Sequence, residues 1–246
     1  MNPYQVVRDF ESALCEYTGA KYAVTTTSCT IAITLAIAWN MRGINSWMTE
    51  IEKKIKKEFP SGVPDSRLKL SVDLPLRNMI EIPKRTYIGV PYAIREAGCA
   101  VSFRDEKWEG WYQLNPLPIW DSARYMSSGM MTDKAMPWFW HSSRMVCLSF
   151  HWSKTLGIQQ GGAILHEDAE ADAWLRRARF DGRTEGKEPS IDNFILPRAW
   201  HAYMSPEIAA EGLVRLSLLA KKNLPQPWGP GTTSDYPDLS KMRIFQ

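Results

Sequence analysis

No pair of cysteines in this sequence stands close enough to form a metal knuckle or a redox motif. The four present, Cys15, Cys29, Cys99 and Cys147, are widely spaced and include no Cys-x-x-Cys. A disulfide framework needs more cysteines in a shorter chain, so reduced thiols in a cytoplasmic protein are expected. An excess of one charge is also missing. Thirty basic side chains face 27 acidic ones, for a net charge of +3, too balanced to argue for nucleic acid as a partner. Long apolar runs are absent too. The longest, Ile31 to Trp39, is broken by Thr34 and is about half a membrane span, so no membrane association is expected. The opening Met1-Asn2-Pro3-Tyr4 lacks the basic-then-apolar pattern of a signal peptide. No internal repeat is visible.

What remains is the composition of a folded protein: 246 residues, 44% hydrophobic and 23% charged, both near globular averages. That length allows one large domain or two small ones. The 11 tryptophans imply either a large aromatic core or surfaces that stack on flat ligands, and composition does not separate the two.

The patterning alternates. Val6, Phe10, Leu14 and Tyr17 make one apolar helical stripe, closed by Gly19 where a helix C-cap belongs. Tyr22-Ala23-Val24 reads as a strand. It feeds the polar run Thr25 to Thr30 and then an apolar helix from about Ile31 to Met41. A strand, a hydroxyl-rich turn and a buried helix in that order form an anion-site geometry, because free N–H groups and the helix dipole point at the turn. Residues 46–78 differ: a charged amphipathic helix over Glu50 to Glu58, then a Pro/Gly/Ser/Asp stretch from Pro60 to Ser66. A solvated surface insertion is the simpler reading, and a basic patch for a polyanion the sharper one. Strands follow at Ile80–Ile82, Val101–Phe103, Pro118–Trp120, Met145–Phe150 and Gly161–Leu165. Helices follow at Gly89–Ala97, Glu167–Phe180 and Pro206–Lys222. This order predicts an α/β fold, a three-layer α/β/α arrangement with a mostly parallel central sheet. The tail over 225–246 is expected to be irregular.

In such sheets, ligands sit at the carboxyl ends of strands. Four groups fall there: the Ser28–Thr30 turn, Asp121, Ser149 and, five residues beyond it, Lys154. Singly, each has a commonplace reading as turn former, cap or solvated charge. Their order and spacing resemble those of the sugar aminotransferase family called DegT/StrS, which are fold-type I pyridoxal-phosphate enzymes. The segments carrying the resemblance begin with Phe10-Glu11 and Tyr17 to Val24. They continue through Ser28-Cys29-Thr30, Pro83-Lys84-Arg85-Thr86-Tyr87 and Asp121-Ser122-Ala123. The most specific is Ser149-Phe150-His151-Trp152-Ser153-Lys154, followed by Gly161-Gly162-Ala163; Met204 to Ala210 completes the series.

The resemblance implies a cofactor, pyridoxal 5'-phosphate, and a role for each matched position. Lys154 would carry the cofactor as an internal aldimine, which requires an amine held neutral against an intrinsic pKa near 10.4. Released, the same amine would move the proton between the substrate α-carbon and the cofactor. Asp121 would keep the pyridine nitrogen protonated, making the ring an electron sink. Tyr87 would stack on the ring, and Ser28, Cys29, Thr30 and Ser149 would hold the phosphate. Ala123, in the aspartate block, would lie beside the cofactor, as would His151, which is as readily a bystander.

Several positions depart from the family pattern. Cys29 stands where glycine is usual. Arg124 replaces a histidine or glutamine; it would stack beside the ring or reach an acidic substrate group. His201 would have to replace an asparagine that reaches the neighbouring subunit's phosphate, and a plain surface histidine is an equal reading. His141 and His166 are read as surface groups. Core packing is favoured over base stacking for Trp138-Phe139-Trp140. The matched chain, residues 1–224, would be the cofactor-binding large domain, without most of the family's C-terminal small domain.

The implied activity is amino transfer from an amino-acid donor to a keto group, by resemblance on a nucleotide-linked sugar. The implied assembly is a homodimer. A decarboxylase, or another amino-acid enzyme acting on an amino acid attached to a nucleotide or nucleic acid, is the alternative within the same chemistry. A non-catalytic regulatory protein of the same fold is the alternative outside it.

Overall fold

The computed structural model describes residues 4–58, 78–188, 196, 198–226 and 236–245, with side chains omitted for 43–56 and 58. In chain order the elements are α1 (Gln5–Thr18), β1 (Tyr22–Thr26), α2 (Cys29–Glu58), β2 (Met79–Pro83), α3 (Gly89–Glu96), β3 (Ala100–Arg104), β4 (Tyr112–Gln113), β5 (Ile119–Asp121), β6 (Met145–Ser149), β7 (Gly162–His166), α4 (Ala169–Ala178) and α5 (Pro206–Leu218).

Five strands form one sheet in the order β1-β7-β6-β5-β4, and β2 pairs with β3 beside it. Backbone bonds between Glu81 and Asn115 join the pair to the edge of the main sheet. The expectation of a mostly parallel sheet needs correction. β1, β2, β3, β5 and β6 share one direction, but β4 and β7 run against it, so three of the five ladders are antiparallel. Connection length explains the reversals. Parallel neighbours need a long crossover, usually a helix. Only residues 114–118 join β4 to β5, and residues 150–161 form turns rather than a helix.

The side-chain alternation of the strands produces the layers. Along β6, Met145 and Cys147 face the core under α2, α3 and α4, which also holds Val90, Ile94 and Leu175. Val146 and Leu148 face the core under α1 and α5, with Phe10, Leu14 and Leu216. Each fully buried side chain of this kind contributes about 1.5–3 kcal/mol. The three-layer architecture is therefore present. A Cβ on Gly212 of α5 would lie 2.6 Å from the Phe10 ring, so this glycine lets α1 and α5 approach.

Local signals explain the helix ends. Gly19 closes α1 in the left-handed region (φ 77°), as its position in the sequence predicts. The Asp168 carboxylate accepts from Glu170 N and Ala171 N at the start of α4. Ser205, followed by Pro206, caps α5. Helix α2 corrects the sequence reading: the apolar helix from Ile31 and the charged helix of Glu50–Glu58 are one continuous element. No proline interrupts residues 29–58, and the lone Gly43 costs only about 1 kcal/mol relative to alanine. The Pro60–Ser66 stretch lies outside the described residues. The tail also differs from expectation. Residues 239–241 and 243–245 form 3-10 turns that bury Leu239 and Phe245. No helix among the described residues is long and apolar enough to cross a membrane.

The buried side of α1 is Val7, Phe10, Glu11, Leu14 and Thr18, turned from the purely apolar stripe because Glu11 has an inward partner. Its carboxylate accepts from Thr25 N and Thr25 Oγ1, both at 2.8 Å, from Arg176 Nη1 at 2.5 Å, and from Arg179. It thus ties α1, β1 and α4 together. Burial opposes the charge, but Arg179 and Arg176 outweigh it and hold the carboxyl below the ordinary glutamate value. Glu11→Gln removes the nearer counter-charge of buried Arg179, leaving it Glu185 at 3.7 Å, and should cost about 3–5 kcal/mol at pH 7, measured by urea denaturation. A group with a depressed folded pKa stabilises above its unfolded value, near 4.3, and loses that contribution as pH falls through the folded value. The gap between wild type and variant should therefore narrow in acid. A gap that is absent, or that does not change with pH, contradicts this account.

Candidate active site

The carboxyl ends of β1, β2, β5 and β6 and the start of β7 meet around a cavity of about 360 Å³. At one side lies the turn after β1. Ser28 Oγ accepts from Ile31 N at 3.3 Å and caps α2, and Thr26 Oγ1 donates to Ser28 O at 2.9 Å. Ser28, Cys29 and Thr30 all line the cavity. The first N–H groups of a helix have no intrahelical acceptor, so this turn presents donors and the positive end of the dipole. It rests directly on β7: a Cβ on Gly162 would lie 2.5 Å from Cys29 N and 2.8 Å from its Cα. Only glycine permits that approach.

At the end of β5, Asp121 is 3% exposed. Its Oδ2 accepts from Tyr112 Oη at 2.7 Å and its Oδ1 from Ala123 N at 2.9 Å. Cys29 Sγ lies 3.9 Å from Oδ1. Burial raises the Asp121 pKa, opposed by the Tyr112 and Ala123 bonds and by the charge of Lys154. Tyr112 shares a 2.8 Å hydrogen bond with Thr86, and burial beside the carboxylate pushes its own pKa well up. It therefore stays a proton donor. Burial likewise keeps Cys29 a thiol.

Lys154 sits in the loop after β6, where Lys154 N donates to His151 O at 2.8 Å and Phe150 pairs with both Gly161 and Ile158. Burial, then the charge of Arg124, lowers the Lys154 pKa, while Asp121 and Cys29 oppose the shift. The amine is thus biased toward its neutral, nucleophilic form.

The sequence-predicted residues Ser28, Cys29, Thr30, Tyr87, Asp121, Ala123, Arg124, Ser149, His151 and Lys154 all line this one cavity. Tyr87 stands at the rim, 55% exposed, where a Cβ on Gly89 would come within 2.7 Å of its ring. His201 is the exception. It lies outside the cavity, exposed, with Nδ1 2.8 Å from Asp181 Oδ2 and its ring against Tyr203. His166 corrects its surface reading: it is fully buried at the end of β7, stacked on Tyr22, and burial lowers its pKa to about 4. Trp138 is core as expected, whereas Trp140 is 74% exposed. Sequence reasoning missed Thr86, Trp108, Tyr112 and Tyr236. Thr86 lay inside a quoted motif, but Tyr112 sits on a two-residue strand and Tyr236 in the tail, where no periodic signal exists. Among the described residues, no cluster of His, Cys, Asp and Glu could hold a metal ion.

A sequence profile of the DegT/DnrJ/EryC1/StrS aminotransferase family matches residues 1–47, which include the turn and the first part of α2. No curated protein sequence matches the chain. Among solved structures it is similar to AtS13 from Actinomadura melliaura (TM-score 0.57, 17% identity, 86% of this chain and 59% of that one). It is also similar to PseC of Helicobacter pylori, an aminotransferase of pseudoaminic acid biosynthesis (0.56, 16%, 87% and 57%). A DegT/DnrJ/EryC1/StrS aminotransferase from Brucella abortus is a further match (0.55, 17%, 87% and 58%). At such identities the likeness shows the fold, that of fold-type I aminotransferases. The chain spans under three-fifths of the length of these structures.

The two hydrogen bonds to Asp121 make a direct prediction. Removing the phenol in Tyr112→Phe takes away a bond that favours the ionised carboxylate. Asp121 should then titrate higher than in the wild type, followed by carbon-13 NMR of labelled aspartate. A midpoint unchanged or lower contradicts the assigned bond.

Proposed function

We propose that this protein is a pyridoxal-phosphate enzyme that transfers an amino group from an amino-acid donor to a keto group, by likeness on a nucleotide-linked sugar. The observation that carries the reading is Asp121: a buried carboxylate facing the same cavity as Lys154 and the α2 turn, with no ion-pair partner among the described residues. A buried carboxylate held by a phenol, an amide and a weakly donating thiol, with no cation bonded to it, is costly. A cationic group on a ligand would complete it, and a carboxylate retains acceptor capacity for one.

The donor set fits pyridoxal 5'-phosphate. Ser28, Cys29, Thr30 and Ser149 offer backbone and hydroxyl donors for a phosphate, Asp121 a partner for a protonated pyridine nitrogen, and Lys154 an amine for an aldehyde. When bound, the cofactor supplies an electron sink for the pair left at the substrate α-carbon. The chain's own residues do the rest. The turn anchors the phosphate through the helix N-terminus. Asp121, kept oriented by Tyr112 and Ala123 N, holds the proton on the ring nitrogen. Tyr87 covers the ring from the rim. Lys154 Nζ, its pKa lowered by burial and Arg124, accepts and returns the proton at the substrate α-carbon. By likeness to the family, the protein assembles as a homodimer whose sites are completed across the two-fold axis, with His201 outside its own cavity as the residue that would reach the neighbouring site.

Purified protein reconstituted with pyridoxal 5'-phosphate should be yellow, and Lys154→Ala should abolish the visible band. Borohydride reduction followed by peptide mass mapping should place the fixed cofactor on Lys154. Protein that stays colourless after reconstitution excludes the enzyme and favours a non-catalytic role. Loss of the band with glutamate, without carbon dioxide release, identifies amino transfer; gas release identifies decarboxylation instead.

A further inference from the structure

The main sheet has an open edge, and the chain closes it with charge. Among the described residues β1 is the outermost strand on its side, so its outward N–H and C=O groups face no neighbouring strand. Glu11 of α1 accepts from Thr25 N at 2.8 Å, and Arg176 Nη2 of α4 donates to Ala23 O at 3.2 Å. Beyond these two bonds, α1, α4 and the loop after α4 surround a cavity of about 570 Å³. It shares no lining residue with the cavity around Asp121 and Lys154. Its loop wall is fastened in place. Gly182 N donates to Arg177 O at 2.9 Å, Arg177 Nη2 to Thr184 Oγ1 at 2.5 Å, and Arg8 Nε to Glu185 Oε1 at 3.0 Å.

We propose that this second cavity binds a small molecule through two linked phosphoryl groups. The proposal goes beyond the cofactor reading above and does not rest on it.

Three observations carry it. First, the charge of the lining is one-sided. Arg8, Lys21, Arg176, Arg177 and Arg183 face the cavity against the carboxylates of Glu11 and Glu185, an excess of three positive charges. Arg179 and Asp172, packed behind this lining against Glu11 and Arg176, offset each other. Second, two of the cations are not committed to carboxylates. Among the described residues Lys21 and Arg183 form no ion pair; they lie over the rings of Tyr22 and Phe180, at 5.4 and 4.8 Å from the centroids. A ring face holds such a group in place and leaves its N–H donors for a ligand. Third, the size and charge together select the ligand. A single phosphoryl group carries about 1.5 to 2 negative charges, less than the excess, and fills little of a cavity well inside the roughly 300–1,000 Å³ range of small-molecule sites. Two linked phosphoryl groups match the charge. Guanidinium forks meet their oxygens through paired hydrogen bonds, and Lys21 adds a point charge. Cys15, Ala23 and Ala173 give the same cavity an apolar patch for the organic remainder of the ligand.

Calorimetry of the full chain should show inorganic pyrophosphate and a nucleoside diphosphate, ADP, binding more tightly than phosphate or sulfate. The affinity should fall as salt rises and be the same with and without pyridoxal 5'-phosphate. Lys21→Gln and Arg183→Gln remove charge without orphaning a carboxylate, and each should weaken pyrophosphate about threefold to tenfold. Equal affinities for pyrophosphate and ADP place the recognition in the phosphoryl groups alone; tighter ADP shows that the organic part is held as well. Cys15 reports the position, because it lines this cavity and is the one cysteine of the four that is not buried. Burial raises its pKa to about 11, so its alkylation is followed in alkaline buffer, where bound pyrophosphate should slow it. A ligand in the Asp121 cavity gives no such protection. Affinity unchanged in both variants, or Cys15 left unprotected, overturns the proposal. Phosphate or sulfate binding as tightly as pyrophosphate leaves a single-anion site and overturns it, as does citrate displacing pyrophosphate at equal concentration, which assigns a polycarboxylate. An oligonucleotide that binds with the same dependence on Lys21 and Arg183 overturns it too. Protein that takes up no colour yet binds pyrophosphate beside Cys15 loses only the cofactor reading; coloured protein that binds no pyrophosphate loses only this one.

Discussion

A carboxylate sealed from water at the end of β5 sets the conditions for the whole site. Asp121 is not neutralised by a salt bridge among the described residues; a phenol and a backbone amide hold it, with a thiol near by. Each of those partners has to be placed by a different element. Tyr112 comes from β4, packed edge-on against Trp108 with ring centroids 4.7 Å apart, and is fixed from behind by Thr86 after β2. Cys29 comes from the first residue of α2. The small antiparallel hairpin of β4 and β5 therefore has a chemical consequence, because its register puts Tyr112 opposite Asp121.

The second constraint is one of contact between backbones. The turn at 28–29 and the start of β7 approach so closely that a single methyl on Gly162 would collide with Cys29. That approach brings the N-terminus of α2 to the same opening as the lysine loop. Strand direction does the rest. β1, β2, β5 and β6 all end at this edge, while the reversed β7 begins there and returns the chain from the Lys154 loop into the sheet. Residues far apart in the chain meet because their strands are parallel in sense, and the loops between strands are free to carry the chemistry.

Electrostatically the cavity is organised around opposed shifts. Burial pushes Asp121 toward its neutral acid and Lys154 toward its neutral amine, and each charge partly restores the other. Arg124 tips the balance at Lys154. The C-terminal segment, through Tyr236, takes part in this arrangement even though it belongs to no sheet or long helix. The solved structures of similar fold are considerably longer than this chain, and here ten residues docked by Leu239 and Phe245 occupy the cavity's edge.

The sequence alone determined the alternation of strands and helices, the turn before α2, and ten residues of the cavity, because strand ends, helix caps and the spacing from Ser149 to Lys154 are local patterns. Local pattern could not reveal that Glu50–Glu58 continues α2, since charge changes along a helix leave its backbone geometry intact. Nor could it reveal the reversed strands, which depend on connection geometry, or the burial of Glu11 and His166, which depends on partners from other elements. Only the tertiary structure decided that Tyr112 and Tyr236 belong to the site and that His201 lies outside the cavity. Contacts between residues more than a hundred positions apart, such as that of Tyr236 with Arg124, carry no periodic signal; they exist only once the layers have packed and the chain's end has found its groove.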